Sequence, residues 1–258
     1  MRYFGNSDVG RVRKINEDSH LEQSVWGKEG TLLVVCDGMG GHQAGEIASK
    51  RAVAAFSDYV ACSPCLSDDP AIQMSEVRHT MIAASKSANN MILRMSRDFE
   101  ELAGMGTTLV AGLVFHDTLY CVNIGDSRLY IITKGKVTQV THDHSFVQYL
   151  LDYGKITPEE ARNYPRKNVI TQAVGINENA EADFFCVNLK NCGRGFILLC
   201  TDGLSNFVDS KTMLDVLYGE SPQVPESKVD LEKAVNKLIA YANSGGGTDN
   251  ITAVLAQF

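Results

Sequence analysis

The apolar and polar positions of the chain alternate with periods that predict short strands and long helices. The almost entirely apolar run Thr31–Cys36 ends at Asp37-Gly38, which is typical of a strand buried on both faces that enters a tight turn. Beyond Ala44, apolar residues recur at helical spacing. A second helix is predicted to bury one face formed by Val77, Met81, Ala84, Ala88, Met91, Met95 and Phe99. The first part of the chain is therefore predicted to contain a buried strand followed by two long helices.

The chain after Gly104 is dominated by short β-like runs. Strands are predicted at 107–115, 118–124, 128–133, 184–189, 196–201 and 251–257, with turns at Asp117 and at 134–136. A late helix is predicted over about 230–243, and the polar segment 145–168 carries a capping signal at Thr157-Pro158-Glu159-Glu160. Several successive strands with helices grouped elsewhere indicate a layered α+β sandwich rather than a series of βαβ units.

Bulk properties fit a single globular domain. The chain has 258 residues, 44% hydrophobic residues and a net charge of −7. An acidic chain of this kind is not the pattern of a nucleic-acid-binding protein. No apolar stretch approaches the ~18 residues of a membrane span, and the N-terminus lacks the apolar region of a signal peptide.

The seven cysteines indicate a reducing compartment, so we expect a cytoplasmic protein. Cys36, Cys121 and Cys200 lie inside apolar runs, where a thiol behaves as a small hydrophobic side chain. Cys62 and Cys65 form a C-x-x-C pair without a second such pair nearby. One interpretation is that this pair binds zinc or undergoes redox chemistry, and the simpler interpretation is that both residues are ordinary loop cysteines.

Acidic residues occur where predicted strands meet glycine-rich or polar turns. Asp37, Asp202 and Asp249 are of this kind, Asp126 lies between two strands, and Glu17-Asp18 precedes a possible strand. Carboxylates that meet in one place repel each other unless cations lie between them, and oxygen ligands favour Mg²⁺ or Mn²⁺. Taken singly, each Asp-Gly is best explained as a turn. Spacing alone therefore predicts no more than an acidic metal site as one alternative.

Eight short motifs in order along nearly the whole chain resemble the bacterial branch of the type-2C (PPM-family) metal-dependent protein serine/threonine phosphatases. They include Val35 to His42, Asn123 to Arg128, Leu198 to Leu204 and Gly247 to Thr252. The remaining four are Ser7 to Asp18, Gly106-Thr107-Thr108, Thr141 to Ser145 and Ile170 to Gly175. The resemblance implies a central antiparallel β-sandwich flanked by helices on both sides, with 145–168 as a small helical flap subdomain.

The same resemblance implies a metal site of Mn²⁺ or Mg²⁺, with two core ions and an optional third. Asp37 matches the carboxylate that bridges the two core ions, and the Gly38 carbonyl matches a ligand of the first ion. Asp202 and Asp249 match ligands of the second ion, and Asp126 matches a ligand of the third.

Further residues are implied around the metals. Arg13 matches the arginine that binds the substrate phosphate, a task for which a guanidinium is suited because it engages two oxygens at once. Glu17, Asp18 and Asn250 match groups that hold metal-bound waters or brace the ligands.

The proton donor to the leaving group is left open. Eukaryotic relatives carry a histidine two residues after the bridging aspartate, where this chain has Met39. His42 lies further along the same turn, and it is expected either to assist the metal site or only to brace the loop.

The implied function is hydrolysis of phosphoserine and phosphothreonine on proteins by a hydroxide that bridges the two ions. A cognate serine/threonine kinase and a monomeric state are expected with it. Two alternatives remain: an inactive phosphoprotein-binding scaffold of the same fold, and a phosphatase that acts on one class of partner-switching regulators. The flap is expected to select substrates, or else to be a solvated surface element.

Overall fold

A computed structural model describes the chain over residues 1–41, 44–65, 67, 69–162, 164–219 and 229–258. Its strands form two antiparallel sheets. One sheet has the order β1 (Arg2–Asp8), β11 (Ile251–Gln257), β10 (Gly195–Cys200), β7 (Arg128–Thr133), β8 (Lys136–Gln139). The other has the order β2 (Asp18–Val25), β3 (Gly30–Met39), β5 (Leu109–Phe115), β6 (Thr118–Ile124), β9 (Asp183–Asn188), and the short β4 (Gly106–Thr107) also pairs with β3.

Helices lie on the outer face of each sheet, and short helices also lie in the segment 145–168. Their bounds are α1 Ala44–Cys62, α2 Pro70–Asp98, α3 Phe146–Asp152, α4 Pro158–Arg162, α5 Asp202–Ser205, α6 Ser210–Tyr218 and α7 Leu231–Ser244. Short 3₁₀ turns lie at Trp26–Lys28, Glu100–Leu102 and Leu189–Cys192. Within the described ranges, no helix combines the length and apolar character that crossing a bilayer requires.

The apolar run of β3 is explained by burial on both faces. Successive side chains of a strand point to opposite faces. Leu32, Val34 and Cys36 accordingly pack against α1 and α2, whereas Leu33 and Val35 pack into the core between the two sheets. The predicted buried strand is confirmed, and its continuous hydrophobicity reflects two packing partners. The predicted tight turn at Asp37-Gly38 is wrong, because β3 continues to Met39 through pairing with β4.

The second sheet repeats this arrangement in the opposite direction. Leu198 and Cys200 of β10 face the cluster formed with α6 and α7, while Ile197 and Leu199 face the core between the sheets. The molecule is therefore built of four layers, helices–sheet–sheet–helices. The predicted α+β class, with a β-sandwich flanked by helices on both sides, is confirmed.

The elements that sequence patterns did not predict are mostly at edges. β1 and β8 are edge strands whose side chains are only partly buried, so their apolar alternation is weak. Residue 136 was assigned to a turn and instead begins β8. The helix α6 was also missed, although Asp209 caps it through the amide of Thr212.

The buried face of α2 differs from the predicted one near its end. Met91 is 39% exposed, and the fully buried Ile92 takes the inner position four residues after Ala88. Phe99 lies beyond the last helical residue and is 49% exposed, so it is not part of the buried face.

The flap segment, residues 145–168, contains α3 and α4. Ser145 caps α3 by accepting a hydrogen bond from the amide of Gln148. The predicted capping box of α4 is present, because the Thr157 amide donates to Glu160 Oε2 at 2.7 Å and the Glu160 amide donates to Thr157 Oγ1.

Candidate metal centre

The predicted acidic residues meet at one end of the sandwich because both sheets contribute strand ends there. Asp18 at the start of β2 lies directly opposite Asp37 near the end of β3. From the other sheet, Asp202 follows β10 and Asp249 precedes β11, and these two strands are paired neighbours. Residues far apart in sequence are thus placed at one mouth by antiparallel pairing.

Asp18 joins the two sheets through its side chain. Its Oδ2 accepts hydrogen bonds from the hydroxyls of Thr252, at 2.6 Å, and Thr201, at 3.0 Å, both on the opposite sheet. Burial, opposed by these two hydroxyls and reinforced by the charges of Asp202 and Asp249, raises the pKa of Asp18 to about 7. Asp18 is therefore a buried carboxyl group that links the two sheets through hydrogen bonds.

The backbone on both sides of Asp37 is held by residues of the β4–β5 break. The Asp37 amide donates to Thr108 Oγ1 at 2.8 Å, and its carbonyl accepts from the Thr107 hydroxyl and the Thr108 amide. The sequence predicted one strand over 107–115, but Thr108 interrupts it. The interruption turns Thr108 toward Asp37 and toward Ser127 Oγ, 2.7 Å away.

The carboxylates of this end influence one another strongly. Burial and then the charges of Asp18, Asp202 and Asp126 raise the pKa of Asp37 well above its ordinary value. Burial and the charge of Asp202 raise the pKa of Asp126 to about 7. Asp202 has a raised pKa as well, from burial and from Asp249. Asp126 thus belongs to the same electrostatic cluster as the other aspartates.

Close backbone contacts surround the end of β3 after Asp37. The Gly38 amide donates to the Glu17 carbonyl at 3.1 Å, and a methyl group on Gly38 would overlap the carbonyl of Gly45. Asn250 ties the same region together: its Oδ1 accepts from the Glu17 amide, and its amide group donates to the carbonyls of Val9 and Ile15. Asn250 therefore braces the acidic turn through backbone groups.

Arg13 reaches the cluster from an exposed loop. Its Nη2 donates to Asp249 Oδ2 at 3.0 Å, and the side chains are 48% and 25% exposed. A guanidinium carries five N–H donors, so this contact leaves capacity for an anionic ligand at the mouth of the site.

Three buried oxygens here have no hydrogen-bond partner among the residues that the structure describes: Glu17 Oε1, Asp18 Oδ1 and Asp202 Oδ1. Leaving such atoms unpaired is unfavourable. In the same ranges, no group of three or more His, Cys, Asp or Glu could by itself hold an ion. Mg²⁺ usually binds one or two carboxylates and keeps several waters. The cluster consequently fits hydrated hard cations, whose waters would meet the unpaired oxygens.

We expect the stability of the metal-free protein to fall between pH 6 and pH 8. The folded pKa of Asp18 and Asp126, about 7, lies above the value of about 3.9 for an unperturbed aspartate. The stability from these protonated groups is complete below the unfolded pKa and is lost as the pH rises through the folded pKa. Each group accounts for about 1 kcal/mol of free energy of unfolding over that interval, or roughly 2–4 °C in Tm.

Thermal unfolding in EDTA and in Mn²⁺ at both pH values measures this effect. Cations screen the ionised carboxylates, so the rise in Tm on adding Mn²⁺ should be larger at pH 8 than at pH 6. An equal rise at the two pH values would contradict the assignment of Asp18 and Asp126 to the cation site.

Several residues of this region were not predicted. Thr201 and Thr252 hold Asp18, and Asn206 donates to Asp202 Oδ2 at 3.1 Å. His144 accepts from the Gly125 amide through Nδ1, next to Asp126. The motifs containing three of these residues were visible in the sequence, but their roles depend on contacts between separate elements.

Two further predictions concern His42 and the pair Cys62 and Cys65. His42 lies outside the described residues. Cys62 is exposed, Cys65 is partly buried, and no disulfide joins them. Cys65 Sγ contacts Glu76 Oε2 at 3.1 Å, which suits a local loop contact.

The four-layer sandwich and the acidic mouth together define a class of protein. It is a cation-binding αββα protein with an arginine placed beside carboxylates, an arrangement suited to an anionic substrate.

Comparisons with known proteins identify the family. Residues 11–239 match the protein phosphatase 2C family. The serine/threonine phosphatase stp of Listeria welshimeri is 36% identical over 253 residues, which cover 97% of this chain and 93% of that protein. The chain belongs to the protein phosphatase 2C family, as its motifs indicated.

Solved structures agree with this assignment. The crystal structure of the serine/threonine phosphatase Stp1 from Staphylococcus aureus has a TM-score of 0.87 at 31% identity and covers 99% of this chain and 94% of that one. The catalytic domain of the serine/threonine phosphatase PstP, crystallised with two manganese ions, has a TM-score of 0.80 at 36% identity, with 98% and 96% covered.

Proposed function

We propose that this chain is a metal-dependent protein serine/threonine phosphatase. Asp37, Gly38, Asp202 and Asp249 would hold two Mn²⁺ or Mg²⁺ ions, and Asp126 an optional third. The observation that carries the proposal is the group of mutually repelling carboxylates with unpaired buried oxygens, in a member of the protein phosphatase 2C family. The two manganese ions of the related PstP structure support the choice of metal.

The residues of the chain then have distinct tasks. Bound cations supply Lewis acidity, which activates water and neutralises phosphate charge. Arg13 binds the phosphate oxygens and orients the phosphoryl group at the mouth of the site. Glu17 and Asp18 hold water through their unpaired oxygens, while Asn250 fixes the backbone of Glu17.

The substrates would be phosphorylated proteins, with a cognate serine/threonine kinase supplying them. We further propose a cytoplasmic monomer with one catalytic domain over residues 1–258, in which the flap segment lies beside the site. A net charge of −7 supports protein substrates rather than nucleic acid.

The proposal is tested with purified protein and two phosphopeptides of identical sequence, one with phosphothreonine and one with phosphotyrosine. We expect Mn²⁺-dependent release of phosphate from phosphothreonine, and none with EDTA. Absence of turnover of phosphothreonine and p-nitrophenyl phosphate in Mn²⁺ would instead support the inactive scaffold of the same fold.

Replacement of Arg13 by alanine should reduce kcat/KM for the phosphothreonine peptide by about 10- to 100-fold, the value of a charge-assisted hydrogen bond. The loss should be larger than for Lys14→Ala, which removes a neighbouring exposed cation. An equal fall in kcat/KM for the two substitutions would show that Arg13 contributes only its positive charge to the region and does not bind the phosphate directly.

A further inference from the structure

The loop between β6 and β7, residues 125–127, carries Asp126, the residue assigned to the optional third cation. The Asp126 carboxylate makes no hydrogen bond to another residue in the part of the chain that the structure describes. Its position therefore depends on the groups that hold its two neighbours, Gly125 and Ser127. These groups bear on the cation site without touching a cation.

His144 binds both backbone polar groups of Gly125. The Gly125 amide donates to His144 Nδ1 at 3.2 Å, and the His144 amide donates to the Gly125 carbonyl at 2.9 Å. Gly125 has a φ of +111°, and a methyl group there would overlap the side chain of Thr108. A buried histidine thus fixes a residue whose backbone conformation suits glycine alone.

The two ring nitrogens of His144 have different partners. A nitrogen that accepts from an amide must carry a lone pair, so the proton of the neutral ring lies on Nε2. Nε2 lies 3.2 Å from Asp183 Oδ2. The Asp183 carboxylate accepts a hydrogen bond from Nε2, and it thereby favours the tautomer that can receive the Gly125 amide.

Asp183 reaches His144 through strand pairing. It is the first residue of β9, and its cross-strand partner on β6 is Asn123, two residues before Gly125. The Asp183 side chain is 45% exposed, whereas that of His144 is 8% exposed. The contact with the buried ring, rather than packing, therefore distinguishes Asp183 from other carboxylates on the surface.

The other end of the loop is held separately. Ser127 Oγ lies 2.7 Å from Thr108 Oγ1, which also accepts from the Asp37 amide. Both side chains are buried. Thr108 thus ties Ser127 to the core pair of ions, while His144 holds the opposite end of the loop. Loss of the His144 contact would release Gly125 and leave the contacts of Asp37 in place.

We propose that His144, oriented by Asp183, is a positioning residue for Asp126 and sets the affinity of the third cation. The inference rests on the proposed cation site, and it adds two residues that act through the backbone of Gly125. Without the Gly125 contact, the Asp126 carboxylate loses its fixed position and binds the ion less tightly. The two core ions keep their ligands.

The test measures Mn²⁺ binding to the metal-free full chain by equilibrium dialysis and calorimetry. In the wild type we expect two tighter ions and one weaker ion. Asp126→Ala should lose the weaker ion, which assigns that ion to Asp126. Hydrolysis of p-nitrophenyl phosphate and urea unfolding of the metal-free protein are measured in parallel, so that a damaged fold is recognised.

Two substitutions of His144 separate its contacts. Glutamine carries its amide group as far from Cβ as Nε2 lies, so it can reach Asp183 but not the Gly125 amide. Asparagine places an acceptor oxygen where Nδ1 lies, so it keeps the Gly125 contact. His144→Gln should raise the Kd of the weaker ion about tenfold or more, whereas His144→Asn should stay within about threefold of the wild type. Neither should change the Kd of the tighter ions more than about twofold.

A second pair of variants lies at the half-exposed Asp183 and keeps the test decisive if a change at the buried His144 prevents folding. Asp183→Asn keeps an acceptor oxygen without the charge, and Asp183→Leu removes both. Only Asp183→Leu should weaken the third ion, by several-fold. An equal loss in the two variants would mean that Asp183 acts through its charge, which would overturn its orienting role.

The proposal is overturned if His144→Gln binds the weaker ion as tightly as the wild type does, or if glutamine and asparagine weaken it equally. It is also overturned if the wild type has no ion that Asp126→Ala removes. In each case, two tighter ions and continued hydrolysis of p-nitrophenyl phosphate would leave the phosphatase assignment intact. Absence of both Mn²⁺ binding and turnover in the wild type would overturn both proposals.

Discussion

Asparagine at position 37 should lower Mn²⁺-dependent phosphate hydrolysis by about 10³-fold or more, even at saturating Mn²⁺. Burial and the charges of Asp18, Asp202 and Asp126 raise the pKa of Asp37 well above its ordinary value, so Asp37 lies within the group of interacting carboxylates. An amide has nearly the shape of the carboxylate but none of its charge, so it is a much poorer ligand for a hard cation. Steady-state kinetics with p-nitrophenyl phosphate and a phosphothreonine peptide measures the loss.

The same substitution should leave the thermal stability of the metal-free protein unchanged or increase it. Removing one carboxylate from a crowded cluster relieves repulsion, so Asp37→Asn in EDTA should unfold at an equal or higher temperature than the wild type. The Mn²⁺-induced rise in Tm should shrink at the same time. This combination separates a lost ligand from a damaged fold.

The matched control is Asp58→Asn, which makes the same chemical change on the exposed face of α1. It should leave both kinetics and Tm close to wild type. Retained hydrolysis in Asp37→Asn, or an equal loss in Asp58→Asn, would refute the role assigned to Asp37.

The second large effect is expected from alanine at Gly38. The added methyl group would overlap the backbone carbonyl of Gly45 and crowd the carbonyl of Glu17. Backbone atoms cannot rotate away as a flexible side chain can, so the end of β3 after Asp37 must move. We expect a loss of about 3 kcal/mol or more in the free energy of unfolding, together with loss of the Mn²⁺-induced rise in Tm.

Gly41→Ala is the corresponding control just beyond β3. Nothing lies within 4 Å of a methyl group added there. Its effect on urea unfolding should stay within about 0.5 kcal/mol. If Gly38→Ala is as stable and as responsive to Mn²⁺ as Gly41→Ala, then the close packing of Gly38 on Gly45 is not needed for the site.

Strong periodicity explains which elements were predictable. β6, β7 and β11 begin and end where the sequence patterns predicted, because both faces of these strands pack against apolar partners. By contrast, β1 and β8 lie at sheet edges and bury only part of each side chain. Their hydrophobic patterns are weak because strands at a sheet edge bury less of each side chain and so need fewer apolar residues.

For the site, the local sequence identified candidate residues, but it did not show that these residues lie close together in the fold. The Asp-Gly pairs at the end of β3 and just after β10 are properties of short segments. Register placed Asp18 opposite Asp37, and the packing of the two sheets brought the hydroxyls of Thr201 and Thr252 to Asp18. The mutual elevation of pKa follows from that convergence and from burial.

The amino-acid sequence by itself determined the buried strands, the long helices, the strand-end aspartates and, through ordered motifs, the protein phosphatase 2C family. These depend on side-chain periodicity and on contiguous residues. Only the tertiary structure decided which oxygens are buried without partners, that Thr108 interrupts a strand to hold Asp37, and that a cleft between the flap segment and α6 begins beside Asp202. Those features arise between elements distant in sequence, where burial and distance, rather than local pattern, set the energies.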